Sequence, residues 1–145
     1  GDFVNGEVRN CAFSDIKGDG VDFSGSQVSV INCAFADVKD KAISIGEGSQ
    51  VSVKTSNIDR VSFGIVSKDL SQATISDCKI ADAGIAGFSA YQKKNSFGPA
   101  QMKISNSQVV DSAKAFLVQD GSTVWEDDVE VRTVPLDVER LYANE

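Results

Sequence analysis

The residues best suited to bind a ligand lie in one segment that carries two lysines and two aromatic side chains. These residues are Tyr91, Lys93, Lys94 and Phe97, in a chain with 21 acidic and 14 basic residues. An aromatic ring beside a cation is a common way to hold a sugar or an acidic chain. The segment therefore predicts a site for an acidic or hydroxyl-rich glycan, or for a protein. The structural alternative is that Phe97 packs over the core and the lysines only solvate the loop.

The sequence offers few groups for catalysis. It has no histidine, which excludes histidine-based triads, histidine general bases and the usual zinc sites. A spaced column of carboxylates, interrupted by Arg60, is more typical of turns than of a calcium site, because one outward carboxylate per repeat rarely converges with others. The members of this column are Asp15, Asp37, Asp82 and Asp111. We therefore predict no catalytic residue, no metal site and no cofactor.

These side chains are positioned by an internal repeat of 22 or 23 residues, with one longer step of 29 residues. The hexapeptide that begins at Val8 recurs in related form from Val30, Val53, Ile75 and Ile104. A fixed period of this size indicates that each repeat is one structural unit that stacks on its neighbours. The longer step holds an insertion, Tyr91 to Pro99, and insertions in solenoids often lie on the binding side.

Alternating residues within each repeat predict short β-strands and turns. One strand supplies an inward column, for which we expect a buried stack of Val21, Ile43, Ile65, Phe88 and Phe116. The next strand begins with an outward ladder of Gln27, Gln50, Gln72 and Gln101. A sharp corner follows at residue types that tolerate a left-handed backbone, namely Asn10, Asn32, Thr55, Asp77 and Asn106.

The three cysteines occupy one column of the repeat, which Ser56 and Ser107 complete. Cys11 and Cys33 lie on adjacent coils, but parallel neighbours in register rarely present the torsion that a disulfide needs. We therefore expect Cys11, Cys33 and Cys78 to be free, buried and slow to react.

The repeat resembles the right-handed parallel β-helix of the pectate-lyase-like superfamily, in particular the degenerate repeats of its NosD-like and surface-protein members. The resemblance covers Val4 to about Trp125. Two segments, Lys41 to Ser49 and Tyr91 to Ala100, also look like β-helices that accompany CotH-like kinase domains in bacterial envelope proteins. The resemblance implies a bacterial protein of the cell envelope or extracellular space.

We therefore predict one all-β domain over residues 1–145, a right-handed parallel β-helix solenoid of about five coils with a C-terminal cap. The coils are expected over 4–125, and a terminal strand and cap, with a short helix from Pro135, over 126–145. The repeat begins almost in mid-coil. We therefore expect either a piece of a longer protein or an open N-terminal coil that associates end to end with another molecule.

Composition and resemblance together define two candidate functions. The net charge of −7 disfavours nucleic acid as a partner, and no apolar run is long enough for membrane insertion. The first candidate is a non-catalytic module that serves as a spacer or a binding surface. The second is a fragment of a polysaccharide-active lyase, hydrolase or epimerase. Such an enzyme needs converging acids on the outward face of the strand that supplies the inward column. That face reads Asp22, Ser44, Val66, Ser89 and Leu117, and one acid in five positions favours the non-catalytic module.

Overall fold

A computed structural model, which describes residues 1–143, consists of two sheets, parallel except for the last strand of one of them, and one short helix. The elements are β1 (Asn5–Arg9), β2 (Ala12–Ile16), β3 (Val21–Ser24), β4 (Gln27–Ile31), β5 (Ala34–Gly46), β6 (Gln50–Lys54), β7 (Asn57–Lys68), β8 (Gln72–Ser76), β9 (Lys79–Tyr91), β10 (Gln101–Ser105), β11 (Gln108–Val110), β12 (Phe116–Val118), β13 (Thr123–Glu126), β14 (Val129–Glu130) and α1 (Val138–Ala143). The all-β solenoid predicted from the repeat is confirmed.

One sheet, here called the glutamine sheet, contains β1, β4, β6, β8, β10 and β13 in parallel order. Its register pairs Gln27 with Gln50, Gln50 with Gln72, and Gln72 with Gln101, which confirms the glutamine ladder. The solenoid has about six turns and not five, because five corners separate six strands and β13 follows the last corner.

The other sheet, here called the tail-side sheet, contains β11, β9, β7, β5 and β2, with β3 and β12 paired to β5 and β9. In the middle coils, two short predicted strands join into single strands of 12 or 13 residues. Asp37, Arg60 and Asp82 lie within these long strands and have φ angles of 56, 55 and 52°. The acidic column is therefore a column of bends, in agreement with its interpretation as turn residues.

The core fills the space between the two sheets. The predicted inward stack is confirmed, because the strand register pairs its five members in order along the axis. Ile43, Ile65 and Phe88 are fully buried, while Val21 and Phe116 at the ends are partly buried. The rings of Phe88 and Phe116 stack with their centroids 5.8 Å apart.

The predicted corners adopt the left-handed backbone. The φ angles of Asn10, Asn32, Thr55, Asp77 and Asn106 are 57, 52, 51, 55 and 45°. Short polar side chains tolerate this conformation because they hydrogen-bond locally. The corners also bond from coil to coil, since Asn32 Nδ2 donates to Asn10 Oδ1 at 2.7 Å.

The cysteines are free, as predicted, but they are not all buried. Cys33 and Cys78 are buried, and burial raises the pKa of the Cys78 thiol. Cys11 is exposed, so the prediction of burial is wrong for that residue. It lies in the first coil, where no further coil covers the corner. Serine alternates with cysteine in this column for a clear reason: Ser56 Oγ accepts a hydrogen bond from the Cys33 backbone N–H at 3.1 Å.

The C-terminal segment forms a minor cap, since Val131 packs against the core and Val134 pairs with Gln119 beside β12. The terminal strand is present as β14, which pairs antiparallel with β13 at the end of the glutamine sheet. The helix begins at Val138, not at Pro135, and it does not lie over the last coil. Residues 134–143, here called the tail, instead cross the outer face of the tail-side sheet, where Leu141 and Tyr142 pack against an apolar cluster.

Candidate functional site

The insertion between β9 and β10 is fixed to the turn of the preceding coil. Asp69, which is fully buried, accepts hydrogen bonds through Oδ1 from the backbone N–H groups of Lys93 at 2.7 Å and Lys94 at 2.8 Å. Gln92 Nε2 donates to the Phe97 carbonyl at 2.6 Å. The insertion is therefore an ordered loop, held by hydrogen bonds from side chains to its backbone.

Both lysines of the insertion already contact other side chains. Lys94 Nζ lies 2.8 Å from Glu47 Oε1, and this hydrogen bond, followed by one from Ser24, lowers the pKa of Glu47. Lys93 Nζ lies 4.0 Å from the centroid of the Tyr142 ring, a cation–π contact. A ligand of the loop must therefore compete with Glu47 and Tyr142.

The two aromatic residues of the predicted site differ in exposure. Phe97 is half-buried and remains open to a ligand on one side. Tyr91 is completely buried, and its hydroxyl lies 2.7 Å from the hydroxyl of Tyr142. The expectation that Tyr91 offers its ring to a ligand is corrected, because Tyr91 ends an outward column that the tail covers.

A second surface, which the sequence analysis treated as structural, is the outer face of the glutamine sheet. Two shallow hollows of about 380 and 390 Å³ lie on it. Both are lined by Gln72 and Thr74, so they form one groove that crosses the coils from Asn5 to Asp128. We call this the glutamine groove.

The glutamine groove is polar along its length and aromatic at one end. Its outward column runs from Ser29 through Ser52, Thr74 and Lys103 to Trp125. Amides and hydroxyls both donate and accept hydrogen bonds, and Trp125 is only half-buried. The signal for this site was present in the sequence, since Trp125 departs from the Ser and Thr of its column.

The comparison with known families agrees with this geometry. The family model described as right-handed beta helix region matches residues 1–132. The chain belongs to the right-handed β-helix family. No curated protein and no solved structure matches it. The fold of this family supports a structural or binding module as well as an enzyme-related repeat.

The β-helix carries another groove along the bends of the tail-side sheet. It measures about 610 Å³, and its walls include Val38, Val61, Asp37 and Arg60. Arg60 Nε donates to Asp37 Oδ1 at 2.7 Å, and this bond holds the pKa of Asp37 below its usual value. Within residues 1–143, no three His, Cys, Asp or Glu side chains are grouped to hold a metal ion.

The face on which an enzyme of the resembled superfamily would need its acids is largely covered. Ser44, Val66 and Ser89 are fully buried and Leu117 is 6% exposed, whereas Asp22 is exposed. This part of the β-helix is outward in the strand alternation but lies under or beside the tail. The helix α1 at the end of the tail is short, and no helix of residues 1–143 is long and apolar enough to span a bilayer.

Proposed function

We propose that this β-helix is a non-catalytic module of a bacterial envelope or surface protein and that its glutamine groove binds an extended, hydroxyl-rich glycan. The observation that carries the proposal is the continuity of the groove, whose two hollows share Gln72 and Thr74. A continuous polar groove suits a polymer better than a compact small molecule.

The spacing of the coils favours a repetitive ligand. Neighbouring parallel strands lie about 4.8 Å apart, so three successive coils, from Gln27 and Ser29 to Gln72 and Thr74, each present one amide and one hydroxyl at a regular interval. A polymer whose units have a similar length can repeat the same hydrogen bonds from coil to coil. Trp125, in register with Lys103, adds a ring face at the end of the groove, where the face of a sugar can stack.

The insertion is the second candidate, for an acidic glycan or a protein. Phe97 supplies a partly open ring, and Lys93 and Lys94 supply charge. This loop is the weaker candidate because its lysines already contact Glu47 and Tyr142. The enzyme alternative has less support, because the tail lies on the face that would need converging acids.

The test is a glycan array followed by affinity measurements on the strongest ligand. Replacing Trp125 with alanine removes one aromatic contact, worth about 0.5 to 1.5 kcal/mol, so affinity should fall about two- to tenfold. Gln72→Ala, which removes the amide shared by both hollows, should also weaken binding. Val129→Ala is the matched control, because Val129 is exposed near the same end and outside the residues that line the groove.

Two outcomes oppose the proposal. The array finds no ligand, or Trp125→Ala and Gln72→Ala bind the ligand as tightly as the unaltered protein. If Lys93→Ala and Lys94→Ala weaken binding instead, the site lies on the insertion.

A further inference from the structure

A buried lysine lies on the tail-side sheet, beside the part of the face that the tail covers. Lys68 ends β7 and points outward, in the same column as Ser24, Gly46 and Tyr91. A Cβ atom built on Gly46 would lie 3.5 Å from Lys68 Cε and about 4.0 Å from Nζ. The lysine therefore lies across Gly46, where the missing side chain leaves space for it.

The ammonium group of Lys68 has no partner within residues 1–143. The residue is 8% exposed, and none of the described carboxylates lies within ion-pair distance of Nζ. Burial lowers the pKa of Lys68, and the positive charge of Lys41 contributes a smaller decrease. A charge that is largely removed from water and has no protein partner is costly, so this position favours an incoming group that accepts hydrogen bonds and carries negative charge.

A second unsatisfied donor lies next to it. Ser44 is fully buried, and its Oγ has no hydrogen-bond partner. Because side chains alternate along a strand, Ser44 and Gly46 point to the same side of β5, and Lys68 lies over Gly46. The Ser44 hydroxyl and the Lys68 ammonium therefore face the same small region.

The surrounding charges are mixed. Lys41 and Lys93 lie near enough to oppose the charge of Lys68, and Asp19 and Asp22 lie near enough to favour it. Lys41 Nζ is bonded to Asp40 at 2.9 Å. Burial raises the pKa of Asp19. The Lys68 ammonium can only donate and the Ser44 hydroxyl can also donate, so one acceptor can satisfy both groups.

We propose that Lys68 and Ser44 form a site for a small oxyanion, with a carboxylate as the preferred ligand. The two oxygens of a carboxylate can accept one hydrogen bond from the ammonium and one from the hydroxyl. The site lies on the opposite sheet from the glutamine groove and does not depend on glycan binding there.

The experiment measures the melting temperature in sodium acetate and in sodium phosphate, each against sodium chloride at the same ionic strength. A ligand of the folded state raises the melting temperature in proportion to ln(1 + [L]/Kd), so acetate should raise it beyond the effect of chloride. Lys68→Met should melt at a higher temperature than the unaltered protein without acetate, because the buried charge is removed. The acetate shift should disappear in this variant.

Ser44→Ala and Lys54→Met complete the test. Ser44→Ala keeps the lysine and should weaken the apparent acetate affinity about tenfold, since one hydrogen bond to a charged group is lost. Lys54→Met removes an exposed lysine of the glutamine sheet and should leave the shift unchanged. The proposal is overturned if acetate has no more effect than chloride, or if Lys68→Met retains the shift. A larger shift with phosphate than with acetate keeps the site but replaces its preferred ligand.

Discussion

The two outer faces of this β-helix are built on the same coils, but one is open to solvent and the other is covered by the tail. The outward positions of the glutamine sheet are Gln, Ser and Thr, and its groove stays open. On the tail-side sheet, the corresponding coils place Phe63, Val66 and Leu117 outward, and the tail packs on them. Stacking makes any side chain at a repeated position into a column, so a few apolar substitutions in one column are enough to create a docking surface.

The difference lies outside the core. Inward residues of both sheets belong to one buried cluster, and these positions are apolar from coil to coil. Outward residues are free to vary, and on the tail-side sheet they form a second apolar cluster with the tail. A β-helix can therefore carry an open binding face and a closed structural face without any change in its repeat.

The largest contrast between the faces should be in stability. Phe63 is fully buried although it points outward, so Phe63→Ala should lower the free energy of unfolding by about 3 to 5 kcal/mol. The control is Gln50, which is exposed on the open face. Gln50→Ala should change the free energy of unfolding by less than about 0.5 kcal/mol. Urea melts of both variants measure the difference. A loss below about 1 kcal/mol for Phe63→Ala would mean that the tail does not protect this face in solution.

A smaller effect is expected where the tail meets the sheet. The hydroxyls of Tyr91 and Tyr142 are 2.7 Å apart, and their rings meet edge to face at 6.0 Å. Tyr142→Phe should cost about 0.5 to 1.5 kcal/mol through the lost hydrogen bond. Tyr91→Phe removes the same bond, so the double variant should be less destabilised than the sum of the two single variants. Strict additivity would show that the two hydroxyls are not partners.

The repeat explains why so much of the architecture could be predicted. The columns of Ile65, Gln50 and Asn32 follow from periodicity, because stacking forces equivalent residues into register. The position of the tail could not be predicted in this way. Tyr142 contacts Tyr91 although the two lie 51 positions apart in the sequence, and no repeated motif relates them. Because this contact cannot be seen in the repeat, the sequence places Tyr91 in a binding loop although the tail buries it.

The candidate binding sites also differ in how far the sequence predicts them. Trp125 interrupts a column of small polar residues, and this break is visible in the sequence. The sequence pattern does not distinguish Lys68 and Ser44 in this way. Lys68 is buried by the residues that pack around its column, and only the fold places it over Gly46. Residues that break a repeat can be found from the repeat itself, whereas residues covered by a distant segment require the structure.

The smallest effect on stability should come from the two lysines of the insertion, which also provide the sharpest test of which face binds. Lys93 and Lys94 are exposed, and exposed ion pairs add little to stability. Because Lys94 lowers the pKa of Glu47 in the folded state, the contribution of this pair is present above the ordinary pKa of a glutamate. It is lost as the pH falls through the lowered value.

The double variant Lys93→Ala/Lys94→Ala should therefore melt slightly below the unaltered protein at pH 7, and the difference should narrow in strong acid to the part that comes from the contact of Lys93 with Tyr142. Lys79→Ala, an exposed lysine of β9, is the matched control for loss of charge, and melting curves across this pH range measure the difference. If the open face is the binding face, the double variant should still bind the glycan that Trp125→Ala loses, because its lysines lie outside the glutamine groove. The opposite outcome is an acidic polysaccharide that binds Trp125→Ala normally but does not bind the double variant. That result would place recognition on the insertion, next to the tail, and not in the glutamine groove.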